Sequence, residues 1–257
     1  MRPTKTSLIS LFALTVVPAF SANGLLVKGK DIQVEFNQEM HSRLIAVFGK
    51  ERVIGGFTPS ESIVISGNKI DRFALQGQTS EAVHDKLGTG VRTTITGTAP
   101  SLKKTVIVTT YDRLPRMAFF DVEYTNTGAT DLSVDGWTNQ HYSITAASGT
   151  AQPAFWSYQS GSYEKRPDWV LPLKPGFYQE NFLGMNAADY GGGTPVVDVW
   201  CRDVGIAVGH VELVPKLVSL PVAAQDADHA SVAVKFKHSQ VLKPGATLTT
   251  FRTFAAV

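Results

Sequence analysis

Disulfide bridges, helical stripes and blocks of charge are all scarce in this sequence. One cysteine, Cys201, in 257 residues cannot close an internal bridge, so stability has to come from the core. Cys201 ends the apolar strand pattern Val197-Asp198-Val199-Trp200-Cys201, where a buried, inert thiol is the common case. Lys and Arg number 24 against 22 Asp and Glu, and they are scattered. The pairs Lys103-Lys104 and Lys235-x-Lys237 fall in strand-like runs and read as solvated strand faces. Nothing there tracks a phosphate backbone, which sets nucleic acid aside as a partner. No window carries a helical apolar stripe over three or more turns; residues 81–87 could hold a single turn. There is no Gly-x-Ser-x-Gly elbow for a serine hydrolase and no Cys-x-x-Cys for a zinc deaminase. The triple glycine Gly191-Gly192-Gly193 lacks the Lys-Ser/Thr ending of a phosphate loop and runs into Pro195 and an apolar strand pattern. No cofactor and no metal are expected.

Long hydrophobic runs are confined to the start. Arg2 and Lys5 precede an uncharged apolar stretch, Leu8 to Phe20, and Ala19 and Ser21 supply the small residues of a signal-peptidase site. The stretch is short for a membrane span. The reading is a signal peptide over residues 1–21, a mature chain from about Ala22, and export to the periplasm or beyond.

What the rest has in abundance is period-two alternation. Ile32, Val34 and Phe36 interleave with Asp31, Gln33 and Glu35; Phe120, Val122 and Tyr124 interleave with Asp121 and Glu123; Val232, Val234 and Phe236 repeat the pattern. Alternation of this kind puts one face of a strand on a core and the other in water. β-Branched runs at residues 61–66, 91–96, 105–110 and 247–253 extend the series. Gly55-Gly56, Gly67-Asn68, Asn126-Thr127-Gly128 and Pro244-Gly245 punctuate it as turn signals. More than ten strand candidates without intervening helices predict an all-β domain over residues 22–257, a large antiparallel sandwich of two sheets.

Residues 137–194 break the rhythm: they are aromatic and rich in Gly, Pro and Asn, with Trp137, Trp156 and Trp169 among them. Such a stretch reads as an ordered excursion that builds a surface or, equally, roofs a satellite core. Within it, Asn186, Asp189 and Tyr190 precede Gly191 and Gly192. Polar groups and a ring beside glycines that permit close approach suit sugar recognition, because a sugar offers a hydroxyl rim and a C–H face. An ordinary Gly-rich turn with Asp189 as its former is the plainer alternative. His210 and Glu212, two apart in a strand pattern, would share a face as a polar pair, an acid–base pair or two metal ligands; no third ligand lies nearby.

Three strings carry a family resemblance: residues 115–128 (PRMAFFDVEYTNTG), 181–200 (NFLGMNAADYGGGTPVVDVW) and 202–212 (RDVGIAVGHVE). They resemble the N-terminal domain of bacterial alpha-galactosidases of the melibiase type, glycoside hydrolase family thirty-six and its relatives. The resemblance implies a β-supersandwich of the galactose-mutarotase type, placed before a catalytic (β/α)8 barrel that holds both catalytic aspartates. No strand–helix alternation follows here, so the barrel and its aspartates are expected to be missing and the chain to be a fragment inactive by itself. The implied partners are an alpha-galactoside or galactose-like carbohydrate and the barrel, with self-association left open. A stand-alone carbohydrate-binding module, or a mutarotase-like aldose epimerase using His210 and Glu212, are the alternatives.

Overall fold

The computed structural model describes residues 24–147, 150–158, 170–183, 195–212 and 217–257. The signal-like residues 1–21 and the loop residues Asn186, Asp189, Tyr190, Gly191 and Gly192 lie outside the described residues. In chain order the strands are β1 (Leu25–Lys28), β2 (Ile32–Phe36), β3 (Ser42–Ala46), β4 (Arg52–Thr58), β5 (Ser62–Ile65), β6 (Asn68–Ile70), β7 (Ala74–Asp85), β8 (Gly88–Ala99), β9 (Leu102–Tyr111) and β10 (Met117–Asn126). They continue with β11 (Leu132–Thr145), β12 (Phe155–Tyr158), β13 (Val170–Leu173), β14 (Phe177–Leu183), β15 (Val196–Trp200), β16 (Gly205–His210), β17 (Val218–Ala224), β18 (His229–Leu242), β19 (Thr247–Thr249) and β20 (Thr253–Ala256). Among the described residues there is no helix.

Two large antiparallel sheets face each other. The ten-stranded one runs β13-β12-β15-β16-β20-β10-β9-β8-β7, with β19 also on β10; the six-stranded one runs β14-β17-β18-β11-β5-β6. A four-stranded meander, β1 to β4, packs its Ile32, Val34, Phe36, Leu44 and Ile54 into the same core. The all-β antiparallel sandwich expected from alternation is therefore the fold observed, with the four-stranded meander added to the two large sheets. In β10 the alternate residues Ala118, Phe120, Val122 and Tyr124 point inward, while Phe119, Asp121 and Glu123 point out. Antiparallel pairing keeps this parity across the sheet: Phe120 opposes Val108 and Thr253, and Phe119 opposes Thr109 and Phe254. The turn after β10 is closed by Asn126, whose Oδ1 accepts from Gly128 N and whose Nδ2 donates to Thr130 O and Leu242 O.

Several local expectations are corrected. Residues 81–85 form the end of the long edge strand β7, paired with β8, and not a helical turn. Gly55-Gly56 is inside β4 rather than a turn; a side chain on Gly55 would collide with Ser143 O of β11, so the glycine permits β4 to lean on the six-stranded sheet. The irregular stretch expected at 137–194 contains the end of β11 and all of β12, β13 and β14. Lys104, expected in water, is completely buried. It shares inward parity with Leu102, Val106 and Val108. Its Nζ donates to Met40 O (3.3 Å) and Glu61 O (3.2 Å), lies 3.9 Å from Glu61 Oε2 and sits 4.9 Å over the Phe73 ring. Glu61 is equally buried, with Oε2 accepting from Ser60 Oγ at 2.8 Å.

Candidate functional site

The strands that flank the glycine-loop residues in sequence, β14 and β15, belong to different sheets. β14 lies in the six-stranded sheet and ends with Leu183 opposite Val218. β15 lies in the ten-stranded sheet and begins with Val196 opposite Gly209. At the start of β15, Pro195 O accepts from His210 N at 3.1 Å. Gly209 makes that approach possible, since a methyl group there would run into both Pro195 O and the Phe254 ring.

His210 closes β16 on the inward side, with Ile206 and Val208, and stands opposite Thr253. It is 6% exposed. The ring Nδ1 accepts from the backbone N of Glu212 at 3.4 Å, which puts the proton of the neutral ring on Nε2. Burial holds the imidazole pKa below its ordinary value, so the ring is neutral at pH 7. Nε2 is buried without a protein partner. β16 has ended before Glu212, and the recorded link between the two residues runs through the Glu212 backbone rather than its carboxylate. Next to His210, Thr253 Oγ1 accepts from Gln140 Nε2 at 3.1 Å, and Asn139 Nδ2 donates to Thr250 Oγ1 at 2.8 Å. Gln140 holds φ at 53° where β11 bulges between Asn139 and Tyr142. Gln140 Oε1 and Asn139 Oδ1 are buried and unpartnered as well. The inner layer at this end is therefore a polar patch with a spare donor and spare acceptors; ordered water is the usual guest of such a patch.

Across the sheet, the outer surface at the same end carries a second constellation that sequence reasoning passed over. Phe254 packs on Phe119, and Phe119 on Tyr111. Arg252 lies 5.1 Å over the Phe119 ring with Nε 3.6 Å from Asp121 Oδ2. Tyr111 donates to Asp85 Oδ2 at 2.7 Å. Partial burial raises the Asp121 carboxyl. The signal was present: Phe119 and Asp121 occupy the outward parity of β10, where an aromatic beside an acid suggests a surface that is not simply wet. Among the described residues no three His, Cys, Asp or Glu converge as a metal site.

Comparison with known proteins bears on the fold. No family model matches the chain. A curated relative, an A type blood alpha-D-galactosamine galactosaminidase of Flavonifractor plautii, is 25% identical over 209 residues, which are 78% of this chain and 18% of that protein. Among solved structures, a variant of the GH36 alpha-galactosidase AgaA of Geobacillus stearothermophilus, in complex with 1-deoxygalactonojirimycin, matches with TM-score 0.64 at 11% identity. It covers 91% of this chain and 40% of the enzyme. The alpha-N-acetylgalactosaminidase NagBb of Bifidobacterium bifidum, in a GalNAc complex, matches at TM-score 0.51 and 11% identity over 89% of this chain and 35% of that one. The chain thus spans well under half the length of each of these enzymes.

Proposed function

We propose, for a chain that is a GH36-like N-terminal β-sandwich, that it serves as the sugar-facing and scaffolding domain of an exported alpha-galactosidase-like hydrolase whose chemistry resides in a partner barrel. The observation that carries this reading is the lopsided coverage: nine-tenths of this chain matches two-fifths of the alpha-galactosidase. The sugar class follows from the same relatives, one named for galactosamine and one solved with GalNAc, and is galactose or its 2-acetamido form in alpha linkage. The loop of Asn186, Asp189, Tyr190, Gly191 and Gly192 is the assigned contact to sugar or barrel. Pro195, the first described residue after it in sequence, is bonded to His210. In this reading His210 acts as a post and not as an acid–base group, because it faces the core, is neutral, and has its Nδ1 engaged by a backbone N–H. That arrangement does not favour the epimerase alternative.

Retaining glycoside hydrolysis needs two carboxyl groups roughly 5–5.5 Å apart across the bond. The chain alone is therefore expected to leave an aryl alpha-galactoside uncleaved. The discriminating experiment is Asp189→Asn in the barrel-containing protein. Each lost charged hydrogen bond to sugar costs about 1.5–3 kcal/mol, or roughly ten- to more than a hundredfold in kcat/KM. A turn former would tolerate Asn, since Asn suits turns about as well as Asp. Unchanged kinetics with an unchanged thermal melt would remove the loop from the site.

A further inference from the structure

A separate concavity lies at the other end of β15. Val196, at the foot of the glycine loop, and Trp200 are four residues apart on one strand, roughly 13 Å at the usual rise per residue. Trp200 stands directly opposite Trp156 of β12, so both indoles leave the same face of the sheet. They line a cleft of about 700 Å³ whose remaining wall includes Pro153, Ala151, Arg202 and Asp203. Trp156 is 38% exposed, and among the described residues neither indole packs on another ring or a cation. Room for Trp200 is arranged by its neighbour across the hairpin: a Cβ on Gly205 would lie 2.7 Å from Trp200 Cβ. The turn between β15 and β16 is tied by Cys201 N donating to Val204 O at 2.9 Å, which thrusts Arg202 and Asp203 out at its tip. Asp203 also meets Arg52 at 3.4 Å and borders a second hollow of about 450 Å³ beside Phe48 and Lys50.

We propose that the Trp156–Trp200 cleft is a second carbohydrate site, which takes two pyranose rings of an oligosaccharide and is distinct from the glycine loop. The chemistry selects this ligand class. A lipid chain would not gain from a rim of Arg and Asp. A nucleotide would put phosphate against Asp203. A pyranose offers flat C–H faces for two indoles, and hydroxyls that pair with a guanidinium on one side and a carboxylate on the other. The volume sits within the range of small-molecule sites and exceeds what one sugar ring fills. The inference does not rest on the alpha-galactosidase reading: it needs only the cleft.

The test is titration of the purified chain with melibiose, lactose, maltose and cellobiose, read by calorimetry and tryptophan fluorescence. At least one disaccharide binds with Kd near 1 mM, of order 4 kcal/mol, and shifts tryptophan emission. Trp156→Ala and Arg202→Ala, both at exposed positions, weaken it tenfold or more with unchanged melting, and Trp156→Phe retains most of it. Val241→Ser, at an exposed position on β18 of the six-stranded sheet, leaves it unaltered. Absence of binding by all four sugars at 50-fold higher concentration, or binding that ignores Trp156→Ala, or binding abolished by Val241→Ser, would overturn the proposal.

Discussion

Lys104→Met tests how the core accommodates the fully enclosed ion pair of Lys104 and Glu61. Methionine keeps most of the lysine stem but removes the charge, so packing is nearly conserved while Glu61 is left alone. Glu61 is fully buried, its Oε1 has no partner, and burial already holds its carboxyl above the ordinary value of 4.5. Without Lys104 the folded protein keeps Glu61 protonated, whereas the unfolded chain releases the proton above 4.5. The folded state then binds more protons than the unfolded one, so stability falls as pH rises, at about 1.4 kcal/mol per pH unit. Burial brings the Lys104 ammonium down to about 8, so the parent keeps its charge only below that pH. From 4.5 to pH 7 the loss accumulates to about 3.4 kcal/mol, within the about 3–5 kcal/mol seen when one member of a buried pair is removed. At pH 5.5 the same arithmetic leaves about 1.4 kcal/mol. For a chain of this size the pH 7 loss corresponds to a Tm lower by roughly 7–14 °C. Urea unfolding followed by tryptophan fluorescence at the two pH values reads it directly. Adding Glu61→Gln should flatten the pH dependence and recover most of the loss. A loss under about 1 kcal/mol at pH 7, or an equal loss at both pH values, would refute the account of Glu61 as a carboxylate held in place by the Lys104 charge.

Gly209→Ala should cost about 1–3 kcal/mol by overpacking against Pro195 and Phe254. In the barrel-containing protein it should also raise KM, because it displaces the foot of the loop; a thermal melt and steady-state kinetics check both parts. Export is tested by mass spectrometry of the secreted or periplasmic protein, where the mature chain is expected to begin near Ala22 and an intact Met1 would count against it.

How much of this could be seen in advance depends on which neighbours a residue answers to. Phe120, Val122 and Tyr124 answer to a period along their own strand, and their inward parity was legible. Lys104 obeys the same parity, but its charge suggested water; what admits it is a pair of carbonyls, Glu61 and a ring contributed from residues 31 to 64 positions away, which no local window contains. Gly55-Gly56 looked like a turn because glycine signals either a reversal or a close approach, and only the partner strand, at Ser143, decides which. The aromatic stretch from Trp137 read as irregular since β12 and β13 are short and β13 carries Pro172 at the sheet edge; the part of it inside the long β11 went unseen. His210 was singled out from sequence, yet its bond to Pro195 follows from the pairing of β15 with β16, Val196 opposite Gly209, which no local window shows.

The position of β20 has a consequence for synthesis. This strand, Thr253 to Ala256, is slotted between β16 and β10 in the interior of the ten-stranded sheet, and it pairs with both. A chain emerging from the ribosome therefore has no continuous large sheet until its residues up to about 256 are free to move. Until then the sheet is split into two pieces, one ending at β10 and the other at β16, each with an open edge of unpaired amides facing the gap. Such edges invite pairing with other nascent chains, and non-local closure is slow because it must first meet the cost of closing long loops. β20 thus acts as a latch: the hydrophobic layers on either side can collapse early, but the slot is sealed only when translation has delivered the segment that fits it.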